Sequence, residues 1–372
     1  MKKIILMTML ILVLNSVICF AQENAIVDSY NDMEINKVFE TAENYFPGFD
    51  GESIVKSLSR GDMIAKDSIL EGIKEYALKS FYDLVKVFSL LVVTGYIISI
   101  TNTASEAFGG GSSNTSFLIG YCVFAGIIVS VFAELISPAR ETIENLIAMI
   151  KSAIPVLLTL LTLSGGVTTS SFMSPLLLSL INIVSAVLGE FLISVIIATV
   201  SLSVADRMSD KINISSAVKS LKQFVKWVLL FCMAIYSGIY GVYGLAGSAL
   251  DNRLGKATRF AVGSSVPVVG GVVSDSIETI IGTVSALRSI TGIVGVVAIC
   301  VVAVMPLIKI AMVMWMFRLS AVVLEPVSNI KIVQLTSDIA DSTSMLFAIL
   351  TAVSLLFVGC IGIILVCGNF IS

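Results

Sequence analysis

The sequence predicts an all-α, polytopic membrane protein with about six to seven transmembrane helices, and three observations carry the prediction. Composition is the first: 56% of the residues are hydrophobic and 13% charged, against about 25% charged in a soluble globular chain. The second is a mean hydropathy of +0.99, with apolar runs of about 18 residues or more recurring along the chain, as membrane spans require. Third, most charges fall between those runs, so the net charge of -3 matters less than where each charge sits. One or two runs are broken by Pro and Gly, which predicts re-entrant segments, and a small helical extracytoplasmic region precedes the first span.

Residues 1–21 read as a signal peptide. Lys2 and Lys3 form a basic start, Ile4 to Ile18 an apolar core, and Cys19 and Ala21 stand three and one positions before a cleavage site after Ala21. An uncleaved first span is the alternative, and the polar Gln22, Glu23 and Asn24 fit both. Residues 22–83 form the polar region. In GDMIAKDSILEGIKEYALKSFYDL, Ile69, Ile73, Tyr76 or Ala77, and Leu84 recur at helical steps, which predicts an amphipathic helix running into the first span. About sixty residues with a Pro47-Gly48 break and no cysteine are too few for a robust core of their own, so a scaffold or partner surface is expected there.

Residues 84–372 make up the polytopic domain. Its apolar runs are Leu84 to Ile100, Phe117 to Phe132, Ile154 to Val167, Pro175 to Val200, Val225 to Leu245, Ile290 to Phe317 and Met345 to Val366, with a broken stretch from Phe260 to Ile281. The GGGSSNTS at 109–116 reads as a flexible polar loop. Orientation poses a conflict. A cleaved signal leaves the mature amino terminus outside, whereas Arg207, Lys211, Lys219, Lys222 and Lys226 form the strongest positive-inside signal in the chain. Four full crossings before that loop would put it outside, so either one of the four is incomplete or the charge rule fails here. The surrounding stretch, DRMSDKINISSAVKSLKQFVKW, is amphipathic, and is expected along the cytoplasmic surface with Ile212, Val218, Leu221 and Val225 toward lipid or protein and its lysines toward headgroups.

The incomplete crossing is expected at IPVLLTLLTLSGGVTTSSFMSP, residues 154–175, which opens with Pro155, breaks at Gly165-Gly166, turns to hydroxyl residues and closes with Pro175. A second stretch, SSVPVVGGVVSDSIETIIG at 264–282, repeats the order: Pro267, a short apolar step, Gly270-Gly271, then polar residues. Paired breaks in the two halves of a polytopic protein point to discontinuous helices near the midplane. Irregular backbone at that depth survives only where protein or a water-filled cavity satisfies it. Asp275 and Glu278 share one helical face just beyond the second break, either as an amino-terminal charge complement or as an ion-binding pair. Glu190 and Lys309 fall inside apolar runs and are the candidate intramembrane charges, each in need of a partner or an aqueous route, with a Glu190–Lys309 pair one possibility. Lys86 and Arg318 lie near enough to span ends to snorkel.

Enzyme chemistry finds no foothold. There is no histidine, which removes the commonest general base and metal ligand. Of six cysteines, one lies in the signal, and Cys122, Cys232, Cys300, Cys360 and Cys367 sit in apolar runs without metal or disulfide spacing. LDNRLGKA fails as a phosphate loop, because Leu250 and Ala257 stand where Gly and Ser or Thr are needed. No catalytic residue, metal site, cofactor or nucleic-acid surface is expected, and the lipid bilayer is the first partner.

The run DNRLGKATRFAVGSSVPVVGGVVSDSIETIIGTVSALRSITGIVGV, residues 251–296, resembles the signature region of the stage III sporulation protein AE family of endospore-forming bacteria. IPVLLTLLTLSGGVTTSSFMSPLLL resembles that family's other recognisable block, and the signal-like start and the length fit as well. The resemblance implies a subunit of the sporulation channel or export complex in the mother-cell membrane around the forespore, needed for forespore development. It further implies partners: a separate secretion-type ATPase, ring-forming membrane proteins and a forespore membrane protein. The family has no established catalytic residues to carry over. A free-standing secondary transporter, or ion-coupled permease, is the alternative from the residues alone.

Overall fold

A computed structural model of the chain describes residues 66–107, 113–208, 214–239 and 270–369. Helices form all of its regular structure among the described residues: α1 (Lys66–Ala107), α2 (Ser113–Leu163), α3 (Val167–Val184), a π-helical segment (Ser185–Phe191), α4 (Leu192–Met208), α5 (215–239), α6 (Gly270–Leu324) and α7 (Ile330–Asn369). In lipid every backbone N–H and C=O must be satisfied within the segment, and the helix does that for an apolar run of any length. Among the described residues five helical stretches are long and apolar enough to cross a membrane: Leu84–Ala104, Phe117–Leu163, Val167–Met208, Val284–Leu324 and Ile330–Val366. About 20 residues suffice for one crossing, whereas the last four have 47, 42, 41 and 37. These are therefore long rods that do more than cross.

Two of the expected elements merge. The runs Phe117 to Phe132 and Ile154 to Val167 belong to one helix, α2, as far as Leu163; the charges between them lie on one face and leave the rest of the helix free to pack. From Gly270 the chain is likewise one helix to Leu324, so the second half of the broken stretch is continuous with the run Ile290 to Phe317. Pro267 lies outside the described residues. Pro138, Pro155, Pro175 and Pro306 sit inside helices without ending them. After three of the four a hydroxyl one turn on donates back to the proline carbonyl, from Thr142 (2.7 Å), Thr159 (2.8 Å) and Ser179 (2.7 Å); both the missing N–H and this back-bond favour gentle bending.

The break at Gly165-Gly166 is a hairpin turn. Gly165 has φ 100°, the left-handed conformation that disfavours side chains. Its N–H donates to Thr162 O (3.0 Å) and the Gly166 N–H to Leu161 O (2.9 Å), the paired bonds that close a helix carboxyl terminus. A Cβ on Gly166 would stand 2.8 Å from Leu161 Cδ1. α2 and α3 thus leave the turn as antiparallel arms.

α7 is the central rod and packs most extensively on α6. Leu346, Ile349, Leu350, Val353, Phe357, Cys360 and Ile364 on α7 are fully or almost fully buried. Close approach is set by glycine: a Cβ on Gly292 would meet Leu365 Cδ2 at 2.5 Å.

Contacts at the ends fix the direction of each rod. At one end Tyr121 Oη donates to Val204 O (2.8 Å), Tyr96 Oη to Val323 O (3.5 Å), Ser99 Oγ to Val327 O, and Arg207 pairs with Asp338. At the other, Arg288 reaches Ser164. So α1 ends, α2 starts, α4 ends, α5 starts, α6 ends and α7 starts at the same end, termed here the basic-loop end. Among the described residues three passages, α1, α2 and α3–α4, precede that loop. The opposite end carries the α2–α3 turn and is termed the hairpin end.

Candidate functional site

Among the described residues, polar side chains gather in three places. At the basic-loop end, Asp338 is held between two cations: Arg207 Nη2 donates to Oδ2 (3.0 Å) and Lys222 Nζ to Oδ1 (2.8 Å). Arg207 Nη1 also donates to Gln334 Oε1 (2.7 Å), Lys222 reaches Asp341 (3.3 Å), and Arg318 stands 3.7 Å from Asp341. Asp206 accepts from the Ile214 N–H at 2.7 Å and so caps the loop. Shared ligands of this kind tie α4, α5, α6 and α7 together. They also correct one expectation: Lys222 is buried beside Val218 and Val225 rather than directed to headgroups, because the carboxylates of α7 stand opposite it. Lys219 and Lys226 are exposed. Arg318 is engaged at the helix end rather than simply snorkelling.

At the hairpin end Arg288 is 0% exposed. Its guanidinium donates from Nη1 to Ser164 Oγ (2.8 Å) and from Nη2 to Ser285 Oγ (3.0 Å), while Ser164 Oγ donates to Leu161 O (2.9 Å). The hairpin turn of the first Pro/Gly-broken block thus meets α6 through a buried arginine that stands beyond the second block. Of the second block, Gly270 and Gly271 open α6, and Asp275 and Glu278 follow on its first turns.

The third assembly is the outward face of α2. Glu134, Arg140, Glu141, Glu144 and Lys151 are all exposed, and at 100° per residue they fall within an arc of about 120°. Ser130 and Ser137 lie on the same stripe, which runs on through Pro155, Thr159 and Thr162. There it opens into a groove of ≈ 310 Å³ lined also by Ser170, Ser171 and Ser174 of α3. Thr162 Oγ1 donates to Ser170 Oγ (2.7 Å), joining the two arms across the groove. Glu190, in the π-helical segment, is exposed as well; the neighbouring Gly189 packs on Ile143 of the buried side of α2. The π-helical segment widens one turn and shifts the register of α4 against α2 there.

Depth follows from the anchors. Glu134 is 13 residues from Tyr121, and Lys151 is 13 residues from Ser164, about 20 Å each at 1.5 Å per residue. Between the same two ends α7 has no charge from Ser342 to Val366, and α6 has Lys309 alone between Arg288 and Arg318. The charged face of α2 is therefore level with the apolar middle of the bundle. Glu190 and Lys309 form no ion pair with each other or with another described residue; Lys309 is half-buried and Glu190 faces out. Among the described residues no cluster of His, Cys, Asp and Glu could hold a metal ion.

Sequence reading missed Arg288 because it stands two residues before the run that begins at Ile290. It missed Asp338 and Asp341 because they precede the run that begins at Met345. An arginine beside a predicted span was the available signal. The charged stripe was hidden for another reason: its residues lie between two apolar runs that read as separate spans.

The family model described as stage III sporulation protein AE matches residues 49–368. A relative from Bacillus subtilis (strain 168), named stage III sporulation protein AE, is 26% identical over 257 residues, which cover 69% of this chain and 64% of that protein. The match thus spans a little less than two thirds of the relative's length. No solved structure matches the chain.

Proposed function

We propose, from the premise that this chain belongs to the stage III sporulation protein AE family, that it is a non-enzymatic membrane subunit of the complex through which mother cell and forespore communicate. The observation that carries this reading is the charged and hydroxyl-bearing face of α2 at the depth of the apolar slab. A subunit that only anchored others in lipid would have no use for it, and six charges (Glu190 included) turned to lipid would cost about 2.5–3.5 kcal/mol each on insertion scales. That sum exceeds the roughly 5–15 kcal/mol by which a whole domain is stable.

Orientation fits the same reading. With the amino terminus outside after cleavage at Ala21, the three passages before the basic loop bring Arg207, Lys219, Lys222 and Lys226 to the cytoplasm, in accord with the positive-inside rule. The hairpin end then faces the space between the two membranes, in the mother-cell membrane that surrounds the forespore. A secretion-type ATPase would meet the basic-loop end, and ring-forming and forespore membrane proteins the hairpin end and residues 22–83.

The test replaces Glu141, Glu144 and Glu190 together with leucine in a sporulating host. Normal accumulation of the protein with a fall of at least about a hundredfold in heat-resistant spores is the expected result; full sporulation at normal protein level would overturn the reading. A thiol reagent applied from outside should leave a cysteine at Ser216 unmodified. Gradient-driven uptake by the purified chain alone would favour a free-standing transporter instead.

A further inference from the structure

We infer that copies of this chain assemble around an axis along the membrane normal, with the α2 faces turned inward to close one water-filled, net acidic path. The inference takes the multi-pass reading as its basis and adds the occupant of the exposed face: a second copy of the same chain. The argument begins from solvation. Glu134, Arg140, Glu141, Glu144, Lys151 and Glu190 are exposed, lack described partners, and lie level with the apolar slab. Charges at that depth must meet protein charges or water.

Charge decides between a dry contact and a wet one. On α2 three carboxylates against two bases leave an excess of one acid per copy, so two such faces pressed together would strand unpaired carboxylates, whereas water between them solvates the excess. The mixed signs still favour the same face as neighbour. Copies related by rotation about the membrane normal bring equal depths opposite one another, which places the Arg140 of each copy at the level of Glu141 and Glu144 on the next.

Side-chain size permits the approach. Gly126, Ser130, Ser137 and Ala148 lie along the stripe, and a Cβ on Gly126 would meet open space. Toward the hairpin end the hydroxyls of Thr159, Thr162, Ser171 and Ser174 continue the polar lining through the groove. One copy offers only an open wall, so the path is incomplete without its neighbours. Its acidic excess concentrates cations and repels anions, which makes small cations or neutral hydrophilic solutes, rather than anions, the class that passes.

The experiment uses the full chain, purified and reconstituted in vesicles, with its own cysteines replaced and a single cysteine placed at Ser137 or at Glu144. Three results are expected. Oxidation gives a disulfide-linked dimer at one of the two positions. A water-soluble cationic thiol reagent modifies the cysteine about tenfold faster than its anionic counterpart, the low end of electrostatic focusing in a charged cleft. A cysteine at Leu230 reacts with neither reagent and forms no disulfide.

A monomer whose Glu144→Cys thiol reacts only with lipid-soluble reagents would overturn the inference, since the face would then be in lipid. Water access without self-association at either position would overturn it as well, and would mean that a different protein covers the face. These readouts come from the purified chain. Assembly and water access that persist while the leucine triple variant sporulates normally would leave the inference standing and sink the proposed function.

Discussion

On α1 and α5 the side chains turned away from the bundle include Leu90, Val93, Ile97, Trp227, Leu230 and Phe231, each at least half exposed. On α2, which exposes Ile119 and Val123 near its start, they include Glu134, Arg140, Glu141, Glu144 and Lys151 farther along. Both surfaces are made by long helices of one chain, and both are exposed by the same measure. What separates them is the solvent each can tolerate: the first gains from lipid, while the second loses by several kcal/mol per charge there. Exposure in a membrane protein thus has two meanings. The chemistry of the exposed groups says which one applies.

The largest effect is expected where the depth of both faces is set. Asp338→Asn leaves the buried Lys222 and the half-buried Arg207 without their shared carboxylate, and should cost roughly 3–5 kcal/mol, the usual loss when one member of a buried pair is removed. Thermal unfolding of the purified protein in detergent would register it. Adding Lys222→Met should recover part of the loss; no recovery would mean that the cluster is not the anchor described.

A sharper comparison comes from placing one arginine on each surface. Leu230→Arg should reduce membrane integration by about 2.5–3.5 kcal/mol, the value for a charge in lipid, whereas Ser137→Arg should change it by little because its surroundings are already polar. The fraction of chains integrated in microsomal or inverted membranes reports both. Equal costs would erase the distinction between the two faces.

A smaller effect is expected at the turn that aligns the arms of the polar groove. Gly165→Ala forces a side chain into the left-handed region at about 1–2 kcal/mol, and Gly166→Ala adds a clash with Leu161. Both should lower the unfolding temperature, Gly166→Ala through packing and Gly165→Ala through backbone strain; an unchanged midpoint in both would dissolve the hairpin turn as drawn. The smallest effect belongs to Glu190→Gln, within about 0.5 kcal/mol of wild type, as for most exposed residues without partners. A larger loss of stability would place Glu190 in a packed contact and remove it from the polar face.

The sequence by itself determined the class, the helical content and the position of the hairpin break. Apolar runs of 16 residues and longer admit no other solution in lipid, and Gly165 is legible because only a residue free of a Cβ turns so sharply. It also held the polar stripe in plain view: Glu134, Glu141, Glu144 and Lys151 keep a helical period, yet the apolar runs on either side of them read as separate spans until the runs are known to be one helix. Tertiary structure alone decided the rest. Whether Phe117 to Phe132 and Ile154 to Leu163 are one rod or two depends on what the intervening charges face, and a one-dimensional hydropathy pattern carries no direction. The meeting of Arg288 with Ser164, 124 residues apart, and the seating of Lys222 between Asp338 and Asp341 are likewise long-range pairings. They are fixed by how α6 and α7 cross, and helix crossing follows from side-chain shape at many positions together rather than from any local stretch.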